Sequence, residues 1–167
     1  MPKTPIRADD LYRFHVVPGA EMSPDGAHVV CAVERVDRET EKKYSNLWIA
    51  PTDRVRPRQF TYGDQRDTHA QWSPDGSEIA FLSNRGASDK AQIYLIPIDG
   101  GEARPLTNLK GSIGGSLWSP DGKRLVCLFR KQDADAAERE ADQKKKELGV
   151  VARHITRVRF KHDGAGM

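Results

Sequence analysis

Serine, histidine, cysteine and aspartate are the side chains of this sequence that could carry covalent or acid–base chemistry, and their surroundings decide whether they do. A serine nucleophile of the hydrolase type needs Gly-x-Ser-x-Gly on a sharp strand-to-helix turn, which lifts the hydroxyl clear of the backbone. Gly86-Ala87-Ser88-Asp89-Lys90 lacks the second glycine, and Gly114-Gly115-Ser116-Leu117-Trp118 runs straight into a strand. No serine qualifies, so no catalytic residue is assigned. The histidines His15, His28, His69, His154 and His162 stand at no zinc spacing with one another or with Cys31 and Cys127. No metal and no cofactor are expected. Asp25, Asp75 and Asp121 are each followed by glycine, but no run of alternating carboxylates makes a calcium loop of them and no helix N-terminus follows to hold an anion. They read as turn residues.

Two basic clusters remain, Arg54, Arg56 and Arg58 in one and Arg153, Arg157, Arg159 and Lys161 in the other. Phosphate binding would need a net basic surface or a nucleic-acid fold signature. Here 27 Lys and Arg stand against 24 Asp and Glu, leaving a formal charge of +3. Nucleic acid is not an expected partner, and the clusters read as solvated strand faces or salt-bridge partners. Substrate-binding residues are left unassigned.

The elements that must position these side chains come from a repeat. Ser23-Pro24-Asp25-Gly26 recurs as Ser73-Pro74-Asp75-Gly76 and Ser119-Pro120-Asp121-Gly122, at spacings of 50 and 46 residues. Proline presets φ, aspartate bonds nearby amides and glycine takes the positive φ that closes the turn, so each copy joins two antiparallel strands. Met22, Trp72 and Trp118 end the incoming strands. The apolar runs 29–33, 79–82 and 125–129 follow the turns, too short for helices and rich in β-branched and aromatic residues. They are expected to be inner strands buried on both faces. Third strands follow at 46–50 and 92–96, the latter ahead of the hairpin signal Asp99-Gly100, and fourth strands at 58–61 and 103–107. Pro105 suits an outer edge that needs no amide donor. Four short strands per repeat of this length describe a propeller blade.

Composition agrees with one mixed-surface domain: 37% of the 167 residues are hydrophobic and 31% charged. The longest apolar stretch, 93–98, is interrupted by Pro97 and falls far short of the ~20 residues a membrane helix needs, so no membrane partner is expected. The first fourteen residues carry Lys3, Arg7, Asp9, Asp10 and Arg13 without the apolar run of an export signal, which points to the cytoplasm. Cys31 and Cys127 hold equivalent places in two repeats and read as small core residues, not as a disulfide framework.

After Phe129 the third repeat departs from the pattern. Residues 131–147 hold eleven charges, with Asp135 and Arg139, Glu140 and Lys144, and Asp142 and Lys146 four apart, and Gly149 can end a helix. The segment reads as a solvated helical insertion, the alternative being a docking element for a partner or neighbouring domain. Residues 156–160 alternate and are expected to return to strand.

With these motifs placed, the chain resembles the N-terminal propeller of the prolyl oligopeptidase family of serine peptidases, of the acylaminoacyl-peptidase and dipeptidyl-aminopeptidase type. The resemblance rests on the acidic N-terminal helix Ala8-Asp9-Asp10-Leu11, the first turn, the strand Leu47-Trp48-Ile49, Pro105-Leu106-Thr107 and the charged insertion followed by Phe160-Lys161-His162-Asp163-Gly164. It implies an all-β, incomplete β-propeller of about two and a half four-stranded blades, with a short N-terminal helix and a charged helical insertion. The expected divisions are 1–18 as helix and lead-in, 19–66 as blade one, 67–114 as blade two and 115–167 as the start of blade three, with the insertion at 131–149. It further implies a non-catalytic role. The propeller would gate short peptide substrates on their way to a C-terminal α/β-hydrolase domain of the parent protein, one that this chain lacks. TolB-type propellers also carry Ser-Pro-Asp-Gly repeats, so a protein-binding module is the alternative. A chain with blade faces left bare is expected to be marginally stable or to form a homo-oligomer through its last blade.

Overall fold

The computed structural model describes residues 5–53, 56–86 and 90–132, together with 138, 141 and 142. It divides into Met1–Lys131 and Gln132–Met167. Of the expected insertion, Glu138 and Ala141 are helical and Asp142 is exposed, while 133–137, 139–140 and 143–149, the strand at 156–160, His154, His162 and the second basic cluster fall outside the described residues.

Three antiparallel sheets make up the first unit. The first contains β1 (His15–Val16), β2 (Ala20–Met22), β3 (His28–Val36), β4 (Lys43–Pro51) and β5 (Arg58–Gln59), with β1 and β2 both paired to β3. The second runs β6 (Asp67–Trp72), β7 (Glu78–Ser83), β8 (Gln92–Pro97) and β9 (Arg104–Pro105) in simple order. The third holds β10 (Gly111–Trp118) and β11 (Leu125–Lys131). This is the all-β, open propeller arrangement implied above. The first sheet starts at His15 and the third at Gly111, so their inner strands begin ahead of the divisions placed at 18/19 and 114/115. A short 3₁₀ helix, Ala8–Arg13, precedes them, with the Arg7 amide donating to Asp10 Oδ2 at 2.9 Å.

The three turns share one hydrogen-bond pattern. Ser23, Ser73 and Ser119 each donate their hydroxyl to the aspartate two residues on at 2.6 Å. The same serine oxygens accept the amides of His28, Glu78 and Arg124 at 2.9, 3.0 and 2.9 Å. Each aspartate also accepts the amide two residues beyond it, at 3.0 to 3.1 Å. The serine hydroxyl first, then that amide, hold the carboxyls of Asp25, Asp75 and Asp121 below the usual carboxylate range. Gly76 at φ +73° lies where an added Cβ would meet Pro24 Cδ at 3.7 Å, and Gly122 at φ +69° repeats this against Pro74 at 3.6 Å. The turns therefore stack, proline against the next glycine.

Alternation along each strand sends one set of side chains to each neighbouring sheet. Val30, Ala32, Leu47, Ile49 and Phe60 of the first sheet's side pack against Trp72, Ile79, Phe81, Tyr94 and Ile96 of the second. The opposite face of the second sheet, Ala80, Leu82, Ile93 and Leu95, packs with Ile113 and receives Trp118, Leu125 and Cys127 of the third. Full burial of a Leu, Ile or Phe contributes roughly 1.5–3 kcal/mol, so these two inter-sheet cores account for most of what holds the sheets together.

Burial on both faces is found for β7, where 79–83 are all buried, but in β3 only Val30 and Ala32 are buried, and the expectation fails altogether for the third repeat. Val126, Leu128 and Phe129 of β11 are 69%, 75% and 43% exposed. No further sheet lies against the outer face of β10 and β11 among the described residues. Cys31 and Cys127 are partly buried free thiols.

Candidate functional site

The strand ahead of each Ser-Pro-Asp-Gly turn, β1 with β2, β6 and β10, stands at one edge of its sheet, which makes it, and not the apolar run β3, β7 or β11 beside it, the inner strand of its blade. All three inner strands break at the same place. Between β1 and β2 the chain passes through Val17-Pro18-Gly19, β6 shifts register between Thr68 and Gln71, and β10 shifts between Ile113 and Gly115. Gly19, His69 and Gly115 each stand three residues before the large side chain that ends the strand. A bulge re-aims a side chain and adds local twist. At two of the three positions there is no side chain to re-aim. His69 holds φ +50°, a left-handed conformation in which histidine is enriched among non-glycine residues, and an added Cβ at Gly115 would lie 4.0 Å from its Cδ2.

His69 lines an open groove of about 420 Å³ between the first and second sheets, together with Glu21, Glu34, Arg66, Thr68 and the Pro18-Gly19 break. Glu34 is bridged by Lys43 Nζ at 3.2 Å and Arg66 at 3.5 Å. Glu21 accepts the Trp72 amide at 3.3 Å, and its backbone carbonyl accepts Trp72 Nε1 at 3.2 Å. Partial burial raises the Glu21 carboxyl above its ordinary pKa, a shift the Trp72 amide partly offsets. Two carboxylates, a guanidinium and an imidazole make the groove a hydrogen-bonding wall.

A buried pair fixes the start of the bulged strand. Asp67 is fully buried, and its Oδ2 accepts Thr61 Oγ1 at 2.6 Å, Arg85 at 2.7 Å and Gln65 Nε2 at 3.2 Å. Its carbonyl accepts Ser45 Oγ from β4 at 2.8 Å. Arg85 also lies over the Phe81 and Tyr94 rings at 5.1 and 5.4 Å. The first sheet, β6 and the end of β7 are thereby tied together two residues before His69.

The residues weighed from sequence are dispersed. Ser116 is buried within β10 opposite Cys127, not on a strand-to-helix turn, and Ser88 lies outside the described residues. His15 is exposed on β1, and the His28 ring stands 6.4 Å from that of Trp72. Arg58 stacks over Phe60 at 5.0 Å, Arg56 is exposed and Arg54 is outside the described residues. No three His, Cys, Asp or Glu side chains stand together as metal ligands among the described residues. Sequence reasoning weighed His69 only as a metal ligand and missed the Asp67 and Arg85 pair. The recurrent offset of Gly19 and Gly115 was the available signal for the bulge; the ion pair left none.

Residues 11–154 match the TolB beta propeller domain, most of the chain. The chain belongs to this propeller family. The TolB-type propeller is 31% identical over 162 residues to the uncharacterized peptidase YuxL of Bacillus subtilis, covering 97% of this chain and 24% of that protein. To dipeptidyl-peptidase 5 of Porphyromonas gingivalis it is 36% identical over 141 residues, covering 84% of this chain and 20% of the relative. The fold matches the acylaminoacyl peptidase of Pyrococcus horikoshii with a TM-score of 0.60 at 20% identity, over 75% of this chain and 19% of that one. The propeller thus spans about a quarter or less of the curated relatives it matches, and those relatives are peptidases. No helix among its described residues is long and apolar enough to cross a membrane.

Proposed function

We infer that this chain is the non-catalytic propeller portion of a serine peptidase that acts on short peptides, gating their passage to an α/β-hydrolase domain elsewhere in the parent protein. The observation that carries the reading is the relationship to peptidases along nearly the whole chain, over residues that match a propeller domain. The bulged inner strands fit that role. Extended peptides have unpaired backbone amides and carbonyls, and Glu21, Glu34, Arg66 and His69 offer both donors and acceptors along the groove.

The test compares the 167-residue chain with the product of the full reading frame. The chain is expected to release nothing from short chromogenic peptides, while the full product hydrolyses them and is blocked by a serine-directed inhibitor. Hydrolysis by the chain alone would overturn the division of labour. A full product without peptidase activity would favour the second reading, a TolB-like module that binds a protein partner, which the match to the TolB domain keeps in play.

A further inference from the structure

The bulged strand β6 separates two grooves of opposite character. The groove between the first and second sheets carries the carboxylates of Glu21 and Glu34. A second open groove, of about 380 Å³, lies between the second and third sheets and is lined by Arg66, Thr68, His69, Asn84, Lys90 and Ser112. Two cations, an imidazole, two hydroxyls and an amide thus line it, and among the described residues no carboxylate does. Beneath them the groove is apolar, since the buried side chains of Leu82 and Ile113 complete its lining. A low-dielectric floor strengthens every polar contact made above it.

Local bonds hold these donors in place. The Arg66 amide donates to Asn84 Oδ1 at 2.7 Å, which sets the two residues side by side and leaves the Asn84 Nδ2 group to donate. The Arg66 side chain is about half exposed and reaches Glu34 through one nitrogen, at 3.5 Å, so that pair engages only part of the guanidinium. Across the groove the Ile113 amide donates to the Ala91 carbonyl at 3.0 Å, which brings β10 against the residue next to Lys90. The register break in β10 leaves Gly114 at the rim, where an added Cβ would meet nothing within 4 Å. His69, in the matching break of β6, lines both grooves and stands beside Gly115. It is exposed, yet it keeps a φ of +50° that non-glycine residues seldom adopt, and strain of this kind concentrates at sites of function.

We propose that the groove between the second and third sheets binds a carboxylate, with the Arg66 guanidinium as its anchor and His69 and Asn84 as further donors, and that the carboxylate is carried by a short peptide. Its source is the peptide's C-terminus or an acidic side chain. A guanidinium presents a flat fork that matches the two oxygens of a carboxylate. The imidazole keeps an N–H to donate in either protonation state. The neighbouring groove, with Glu21 and Glu34, disfavours the same group, so the two grooves together fix on which side of His69 the charge lies. That the carboxylate arrives on a peptide rests on the peptidase reading; the preference for an anion rests on the groove alone.

Direct binding tests the site. The chain is titrated with acetyl-Ala-Ala-Ala bearing a free C-terminal carboxylate, with the same peptide as its C-terminal amide, and with acetyl-Ala-Glu-Ala amide, followed by calorimetry and by the histidine imidazole resonances. At least one of the two acids is expected to bind at least about fivefold more tightly than the uncharged amide, and which one does so names the source of the carboxylate. Arg66→Gln is expected to bring that acid down to the level of the amide, and Arg66→Lys to restore part of the difference, because an ammonium keeps the charge without the fork. His69→Gly installs the residue that Gly19 and Gly115 supply in the adjacent repeats and relieves the positive φ, so it should keep the fold while weakening the acid about two- to threefold. Glu34→Gln releases Arg66 from its ion pair and should tighten the acid about twofold. Circular dichroism and melting check each variant, and if Arg66→Gln loses its fold, the opposite shifts of His69→Gly and Glu34→Gln still decide. Acids and amide that bind alike or not at all overturn the proposal, as does a preference for the acid that survives Arg66→Gln. Hydrolysis by the full product is measured separately: a carboxylate preference without hydrolysis would remove the peptidase reading and leave the site, and hydrolysis without the preference would do the reverse.

Discussion

β7 and β11 hold the same place in successive repeats and have much the same apolar content, yet one is enclosed and the other is largely in water. Leu82 and Leu128 make the contrast sharpest: the same side chain at the same repeat position is 2% exposed in the second sheet and 75% exposed in the third. The strand's own sequence does not set its burial. A blade strand has two faces, each covered only by whichever sheet stands beside it, so the second sheet is covered by neighbours on both faces and the third, among the described residues, on one.

The largest expected effect comes from making that comparison directly. Leu82→Ala should cost about 2–5 kcal/mol through lost transfer energy and the cavity left behind, whereas Leu128→Ala should fall within about 0.5 kcal/mol as a surface change. Denaturant titration of both variants measures the two values. Similar losses would mean that the outer face of β11 is covered in solution.

A smaller effect separates the two inter-sheet joints. Trp72 Nε1 donates to the Glu21 carbonyl, but Trp118 Nε1 is buried with no partner, and so is Oε1 of Gln71, the residue equivalent to Glu21. Trp72→Phe should therefore cost roughly 1–2 kcal/mol by orphaning a carbonyl, and Trp118→Phe should be neutral or slightly stabilising. Thermal melts of the two variants test this. An equal loss would show that the second joint makes the same bonds in solution as the first.

The turns are the place where the comparison should vanish. Gly76 and Gly122 take φ of +73° and +69°, so alanine at either should cost about 1–2 kcal/mol for local reasons, whatever stands beside the sheet. A Gly122→Ala variant that melts like wild type would mark the third turn as frayed.

What could be read from the sequence follows the same division between local and non-local causes. Ser-Pro-Asp-Gly closes its turn through bonds within five residues of the serine, so the turns and the strands they join were legible, as was Pro105 on the outer strand β9. The inner strands were legible only at their ends. The stretch Asp67-Thr68-His69-Ala70-Gln71 has no period-two pattern because a bulge resets the alternation in its middle. The Asp67 and Arg85 pair spans eighteen positions, and nothing local marks either residue. The apolar run in β11 read as buried because hydrophobicity reports what a face can pack against, not what is there.

The smallest effect concerns the carboxyl at the first joint. The turn aspartates have lowered pKa values, so their contribution is present above the ordinary carboxylate range and is lost as pH falls through the folded values. Glu21 runs the other way. Its raised pKa means that the folded chain holds this proton more tightly than the unfolded one, so Glu21 favours folding as pH falls and opposes it near neutrality. Glutamine at 21 would keep an oxygen for the Trp72 amide while removing the charge. Glu21→Gln is therefore expected to stabilise by no more than about 0.5 kcal/mol at pH 7, given how exposed and screened the carboxyl is, and to match wild type near pH 4. Melting temperatures at the two pH values decide it. If Glu21→Gln melted lower at pH 7, the Trp72 amide would need the full carboxylate charge, and the first joint would be held by electrostatics and not by apolar packing.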